Sequence, residues 1–222
     1  MAEREAAGGG KWVQVAPERL PRWLENFVTR HGAYTEKGLL LIAEDGATAE
    51  WQPPPGAPPV ATMTDLVCEA QAPRTLGLLL ARKGAVAVGI AEGPELVTSK
   101  VETHYVQGRT AAGGWSQQRF ARRRDNQAKA AAADGAGIVG RLLLPRVRDL
   151  TALVTGGDRA AVDAVLAAPT LTPVAALRAD RFLDVPEPRH AVLLAAVGQA
   201  RAVSVLVRER QISRPVVDLP PT

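Results

Sequence analysis

Apolar and polar positions alternate in two distinct ways along this chain, and the change falls near residue 60. Before it, the runs are short and amphipathic. Trp12–Val15 fits a short strand, and Pro17–His31 carries Leu20, Trp23, Leu24, Phe27 and Val28 at helical spacing. Leu39–Ala43 and Thr48–Gln52 flank Glu44-Asp45-Gly46-Ala47, which predicts a β-hairpin turning at Asp-Gly. Pro53-Pro54-Pro55-Gly56-Ala57-Pro58-Pro59 then excludes helix and central strand, so it marks either a linker or a rigid surface excursion. After it, Thr75–Ala81, Ala85–Ala91 and Glu95–Thr103 are longer apolar, β-prone runs. They are separated only by Lys83-Gly84 and Glu92-Gly93-Pro94, and turns this short predict an antiparallel meander.

Past the meander the period changes again. Val106–Trp115 is expected as a loop and Gln117–Ala133, free of Gly and Pro, as a helix with Ser116 as its N-cap. Leu150–Thr155 predicts a fourth strand. Gly156-Gly157-Asp158 leads into a helix over Arg159–Ala167 with Asp158 as N-cap. Arg181–Val185 fits a fifth strand, and Pro188 opens a helix running to about Ala202. Strands followed by helix–strand alternation indicate an α/β layered domain. The expected organisation is a disordered tail at 1–10, a small α+β N-terminal module over 11–60 ending in the Pro-rich stretch, an α/β domain over 61–210, and a C-terminal tail at 211–222.

Composition narrows the function classes. The 222 residues are 46% hydrophobic but only 4% aromatic, so the core must be mostly Ala, Val and Leu. The single cysteine, Cys68, excludes an intrachain disulfide and a multi-cysteine zinc site. No signal peptide is evident at the start, and no apolar run reaches the ~18 residues of a membrane helix. A cytoplasmic protein is expected. The net charge is only +4, yet residues 100–129 hold seven Lys or Arg against two acids. The basicity is a patch around one loop, suited to a polyanion, although a solvated helix face has the same composition.

That patch contains Gly113-Gly114-Trp115-Ser116-Gln117-Gln118-Arg119-Phe120-Ala121-Arg122-Arg123-Arg124. Gly113 and Gly114 permit φ > 0 and close backbone approach to another molecule. A helix start presents free amides and partial positive charge to a phosphate.

The stretch resembles the loop and helix of the catalytic middle domain of eukaryotic and archaeal peptide-chain release factors, which carry Gly-Gly-Gln, then Ser, then Arg-Phe-Ala-Arg. The resemblance covers roughly residues 73–205 and implies an RNase H-like topology. Aligned without a gap, the catalytic glutamine of those factors falls on Trp115. A glutamine after the serine, as at Gln117, is similar to the Vms-like release factors with their Gly-Gly-Ser-Gln, and most of all to their bacterial (actinobacterial) members. The resemblance assigns catalysis to Gln117, with Gln118 the alternative, and loop backbone to Gly113 and Gly114. No stop-codon-reading domain or GTPase-binding domain is recognised.

The activity implied is hydrolysis of peptidyl-tRNA on stalled ribosomes or large subunits, without a cofactor. A phosphodiester near the tRNA 3′ end is the other candidate bond, and a non-catalytic ribosome-binding protein is the other class. Arg109, Arg119, Arg122, Arg123, Arg124 and Lys129 would hold rRNA or tRNA phosphates without reading sequence. Trp115 would stack on a base or pack beneath its own loop.

The remaining candidates are weaker. His31, His104 and His190 are too scattered for a metal site, although His104 lies near the loop. Gly156-Gly157-Asp158 lacks the Lys-Ser/Thr of a phosphate-binding loop. Asp134 and Asp149 have no evident carboxylate partner.

Overall fold

The computed structural model describes residues 3–82, 84–103 and 115–209, with the side chains of 3 and 115–126 outside the description. It is a mixed α/β structure built on two sheets. The strands are β1 (Glu3–Glu5), β2 (Lys11–Val15), β3 (Tyr34–Lys37), β4 (Leu40–Ala43), β5 (Thr48–Gln52), β6 (Thr75–Arg82), β7 (Ala85–Glu92), β8 (Glu95–Thr103), β9 (Ala152–Gly157), β10 (Arg178–Leu183) and β11 (Val203–Arg208). The helices are α1 (Leu20–His31), α2 (Met63–Gln71), α3 (Trp115–Leu142), α4 (Arg159–Leu166), α5 (Thr172–Ala175) and α6 (His190–Arg201).

The second sheet has the order β10-β9-β6-β7-β8. β6, β7 and β8 form the expected antiparallel meander, while β9 runs parallel to β6 and β10 parallel to β9. Helices cover both faces. Leu79, Ala81, Val86 and Val88 pack with Ile138 and Val139 of α3 and Val162 and Val165 of α4. On the reverse face, Leu76, Leu78, Leu80 and Val154 pack with Leu193, Ala196 and Val197 of α6. A strand buried on both faces needs no polar alternation, which explains the unbroken apolar runs of β6 and β7.

The first sheet is wholly antiparallel, in the order β1-β2-β11-β5-β4-β3. Its core, Val13, Val15, Leu41, Trp51, Val203 and Val205, lies under Leu20 and Phe27 of α1 and Met63 and Leu66 of α2. The expected hairpin turns at Gly46, with φ +89°.

Several elements differ from the sequence reading, each for a physical reason. The first ten residues were expected to be disordered, but Glu3–Glu5 add an edge strand to β2. Helix α2 was not anticipated. Its signal is a local cap, in which the Thr62 hydroxyl accepts from Asp65 N at 3.1 Å and donates to the Asp65 carboxylate at 2.7 Å. Ser116 does not cap α3, because the helix already includes Trp115. Asp158 does cap α4, accepting from Ala161 N at 3.1 Å.

The largest difference is β11. Residues 203–208 were expected within the α/β domain of 61–210, and they lie instead in the first sheet, between β2 and β5. Only Ala202 separates α6 from this strand. Arg181 of β10 pins the crossing. Its guanidinium donates to Ser204 Oγ at 2.7 Å, to the carbonyls of Gln199 at 3.3 Å and Ala200 at 3.5 Å, and to the carbonyl of Ala202. Gln14 Nε2 of β2 donates to the same Ser204 hydroxyl at 3.0 Å. Burial pushes the Arg181 guanidinium down to about 10, still protonated at neutral pH. A cation at a helix C-terminus is favourable, and each charged hydrogen bond is worth ~1.5–3 kcal/mol.

The first sheet therefore requires the last strand. A fragment ending at Arg201 should lose the β2–β11 and β11–β5 pairings together. We expect it to lose strand signal in far-ultraviolet circular dichroism and amide dispersion for residues 11–52. Retained dispersion would show that β2 and β5 hold the sheet without β11.

Candidate functional site

The meander brings one rim of the second sheet to the basic segment. Thr103, the last residue of β8, is paired with Ala85, and Arg82 with Ala85. Ala81 is paired with Gly157, and Gly156 with Leu183. Thr103, after which the basic segment follows in the sequence, and the carboxyl ends of the parallel strands thus share one rim.

The rim is tightly made. Gly157 has φ +98°, and a Cβ there would stand 2.4 Å from the Ala81 carbonyl oxygen. Asp158 N donates to that same oxygen at 2.7 Å. Only glycine lets β9 turn into α4 while staying bonded to β6.

Arg109, Gly113, Gly114 and His104 lie outside the described residues. Trp115, Gln117, Gln118, Arg119, Arg122, Arg123 and Arg124 fall on the first three turns of α3. Lys129 is one turn further on and exposed. The structure thus places these residues on one continuous helix backbone.

That helix is 28 residues long, about 42 Å at helical rise. Its C-terminal half is buried through Ala131, Ile138 and Val139. At Gly135 the helix approaches its neighbours so closely that a Cβ would meet Val165 of α4 at 2.9 Å and Val86 of β7 at 3.2 Å. Trp115 lies 16 residues, about 24 Å along the helix axis, from Ala131.

The helix base thus holds the basic turns in a set direction. Neighbouring β8 is an edge strand of the sheet, with exposed Glu95, Thr98 and Lys100. Lys100 pairs with Glu102 at 3.4 Å. Charges on an exposed edge discourage pairing with another strand.

His31 is not part of this rim. It is the last residue of α1 and is buried, with Nδ1 2.8 Å from the Asp45 carboxylate. His190 opens α6 and is exposed. Among the described residues, no group of three His, Cys, Asp or Glu could hold a metal ion. No helix among them is long and apolar enough to cross a membrane.

The close approach at Gly135 has a measurable consequence. Gly135→Leu should overpack the α3–α4–β7 contact and cost about 1–3 kcal/mol in urea unfolding. An unchanged midpoint would mean that the helix base does not bear on the sheet.

Two solved structures are similar in outline. One is described as an archaeal protein, 14% identical, covering 64% of this chain and 41% of its own, with a TM-score of 0.39. The other is the archaeal translation termination factor aRF1, 14% identical, covering 85% of this chain and 63% of its own, with a TM-score of 0.42. The chain spans less than two thirds of the length of either. No curated protein matches the sequence. Residues 74–206, which contain the whole second sheet, the rim and α3, match the model of one family, and the chain belongs to it: the Actinobacteria/chloroflexi VLRF1 release factor family.

Proposed function

We propose that this protein is a ribosome-associated peptidyl-tRNA hydrolase, acting independently of stop codons on stalled ribosomes or large subunits. The observation that carries the reading is that the sequence Gly-Gly-Trp-Ser-Gln falls within a release-factor family match and that its Trp-Ser-Gln lies in the first turn of a long helix whose base is packed into the α/β body. The strand order supports the kinship. Counted from β6, it reads 3-2-1-4-5 with the first three strands antiparallel, the arrangement of an RNase H-like sheet.

The chemistry asks little of the chain. A peptidyl-tRNA ester is already activated and needs a placed water and a stabilised oxyanion. Gln117 is the proposed catalytic residue, and Gln118 is the alternative in the next register. A glutamine amide accepts through its carbonyl and donates through its NH2, so it can align a water without acting as a strong base. Backbone amides at Gly113 and Gly114 would face the developing oxyanion, with glycine allowing close approach.

The peptidyl-transferase centre of the large subunit would supply the remaining groups. Arg109, Arg119, Arg122, Arg123, Arg124 and Lys129 would grip rRNA or tRNA phosphates and set the register, with Trp115 stacking on a base. No cofactor enters this scheme. The site of action is the cytoplasm.

Gln117→Ala should abolish release of a nascent chain from purified large subunits carrying peptidyl-tRNA, with subunit binding nearly intact. An active Gln117→Ala beside a dead Gln118→Ala would move the role by one residue, and activity in both would sink the catalytic model. The RNA product decides the bond: intact tRNA marks an esterase, and tRNA lacking its terminal nucleotides marks an endonuclease.

Replacing Arg122, Arg123 and Arg124 together with Ala should weaken large-subunit binding. It should also reduce its salt slope by up to about three units, near one per lost phosphate contact. Equal affinity and slope in the wild type and the triple variant would leave these arginines as a solvated helix face.

A further inference from the structure

At the far side of the same sheet, α4 and the edge strand β10 enclose a pocket that the release reading does not use. It is lined by Thr155, Arg159, Asp163, Arg178, Asp180 and Phe182. Its floor is Thr155 of β9, only 1% exposed, whose hydroxyl has no hydrogen-bond partner among the described residues. A buried unpaired hydroxyl is costly and uncommon, and a bound polar group would remove the cost.

On the wall, the Arg159 guanidinium lies 4.2 Å from the centre of the Phe182 ring. Arg178 donates to Asp163 at 2.6 Å, which leaves its other N–H groups for a ligand. The pairing of β10 with β9 shifts register between Arg178 and Phe182. By strand alternation Arg181 points inward to α6 and β11, while its neighbour Asp180 is exposed at the pocket rim. Neither the Arg159 guanidinium nor the Asp180 carboxylate has a hydrogen-bond or ion-pair partner among the described residues.

The donor and acceptor set is balanced. Two arginines face two carboxylates, and one of each is already paired to the other. A phosphate would meet Asp180 unfavourably. A group that offers donors and acceptors on one planar edge would satisfy both kinds.

We propose that this pocket binds an unpaired guanine-type base of RNA. The base would stack on the outer face of Arg159, which Phe182 supports from beneath. Guanine N1–H and N2–H2 would donate to Asp180. Its O6 and N7 would accept from Arg178 and the Thr155 hydroxyl. β10 and β8 are four strand spacings apart, about 19 Å, so a single RNA could touch both this pocket and the segment after Thr103. The RNA partner rests on the reading of the protein as ribosome-associated, while the pocket's chemistry stands on its own residues.

The test uses the full chain, with GMP as probe and CMP and inorganic phosphate as controls, followed by amide NMR shifts. GMP should shift residues 155–163 and 178–182, CMP should act more weakly, and phosphate should leave them unmoved. Asp180→Asn should weaken GMP by about tenfold or more. Thr155→Val should also weaken GMP, while raising the melting temperature by about 2–4 °C because it removes the unpaired hydroxyl.

Equal shifts from phosphate and GMP would make this an anion site and overturn the proposal. So would silence with GMP at about 10 mM, which would leave only ordered water at Thr155. These measurements need no ribosome. Their failure leaves the release reading standing, and an active Gln117→Ala leaves the pocket standing.

Discussion

The placement of β11 between β2 and β5 is the constraint on which the rest of the structure depends. The first sheet has five strands from the first 52 residues and draws its central pairing from residues 203–208. Its hydrogen-bond ladder can close only after the chain has passed through the whole second sheet. One residue joins α6 to β11, so the helix layer beneath the second sheet is tied almost rigidly to the first. Arg181 completes the tie by bonding the end of α6 and Ser204 together, and Arg201 adds a 2.6 Å bond to Glu18 beside α1. The Pro-rich segment follows the same logic. Pro54 and Pro55 are buried, and Gly56 lies against Thr151 at the entrance to β9.

On the other face of the second sheet, packing against α4 and β7 gives α3 a firm base. Under the proposed function, α3 would present its first turns to the ribosome, and a helix used in that way must resist being bent back, since the binding energy would otherwise go into ordering it. The approach of α3 to Val86 and Val165 at Gly135 provides that resistance through packing. The charge is divided in the same sense. The excess positive charge is concentrated on the segment that follows β8, and the remainder of the chain is close to neutral. A body of that kind has its excess positive charge at one segment, and the field of that segment would orient it toward any polyanion it meets.

Two departures from regular structure fall at the margins of the second sheet rather than in the core. One is the positive φ of Gly157, forced by the bond from Asp158 N to the Ala81 carbonyl. The other is the register shift of the edge strand β10 between Arg178 and Phe182. Irregular strands at a sheet edge re-aim side chains at the cost of ladder bonds, and they recur beside binding sites.

Much of this was legible in the sequence where the cause is local. The meander from β6 to β8 follows from continuous apolar runs and short turns, the β4–β5 hairpin from Asp45-Gly46, and the start of α4 from Asp158 as a cap. The residues proposed for the chemistry, Gln117 and its neighbours, were likewise visible as a motif and a charge cluster. α2 was missed although its cap, Thr62 with Asp65, is also local, because the prolines before it concealed the helix start.

What the tertiary structure alone decided depends on distant partners. Val203–Arg208 has the composition of any buried strand, and nothing within it specifies β2 and β5 as its neighbours. Arg181 reads as a polar position on a strand until the C-terminus of α6 and Ser204 are placed around it. Thr155 reads as an ordinary strand residue until α4 and β10 close around it and leave its hydroxyl without a partner among the described residues. Local conformation is set by propensity and capping over a few residues, whereas pairing and burial are set by which surfaces meet when the chain closes.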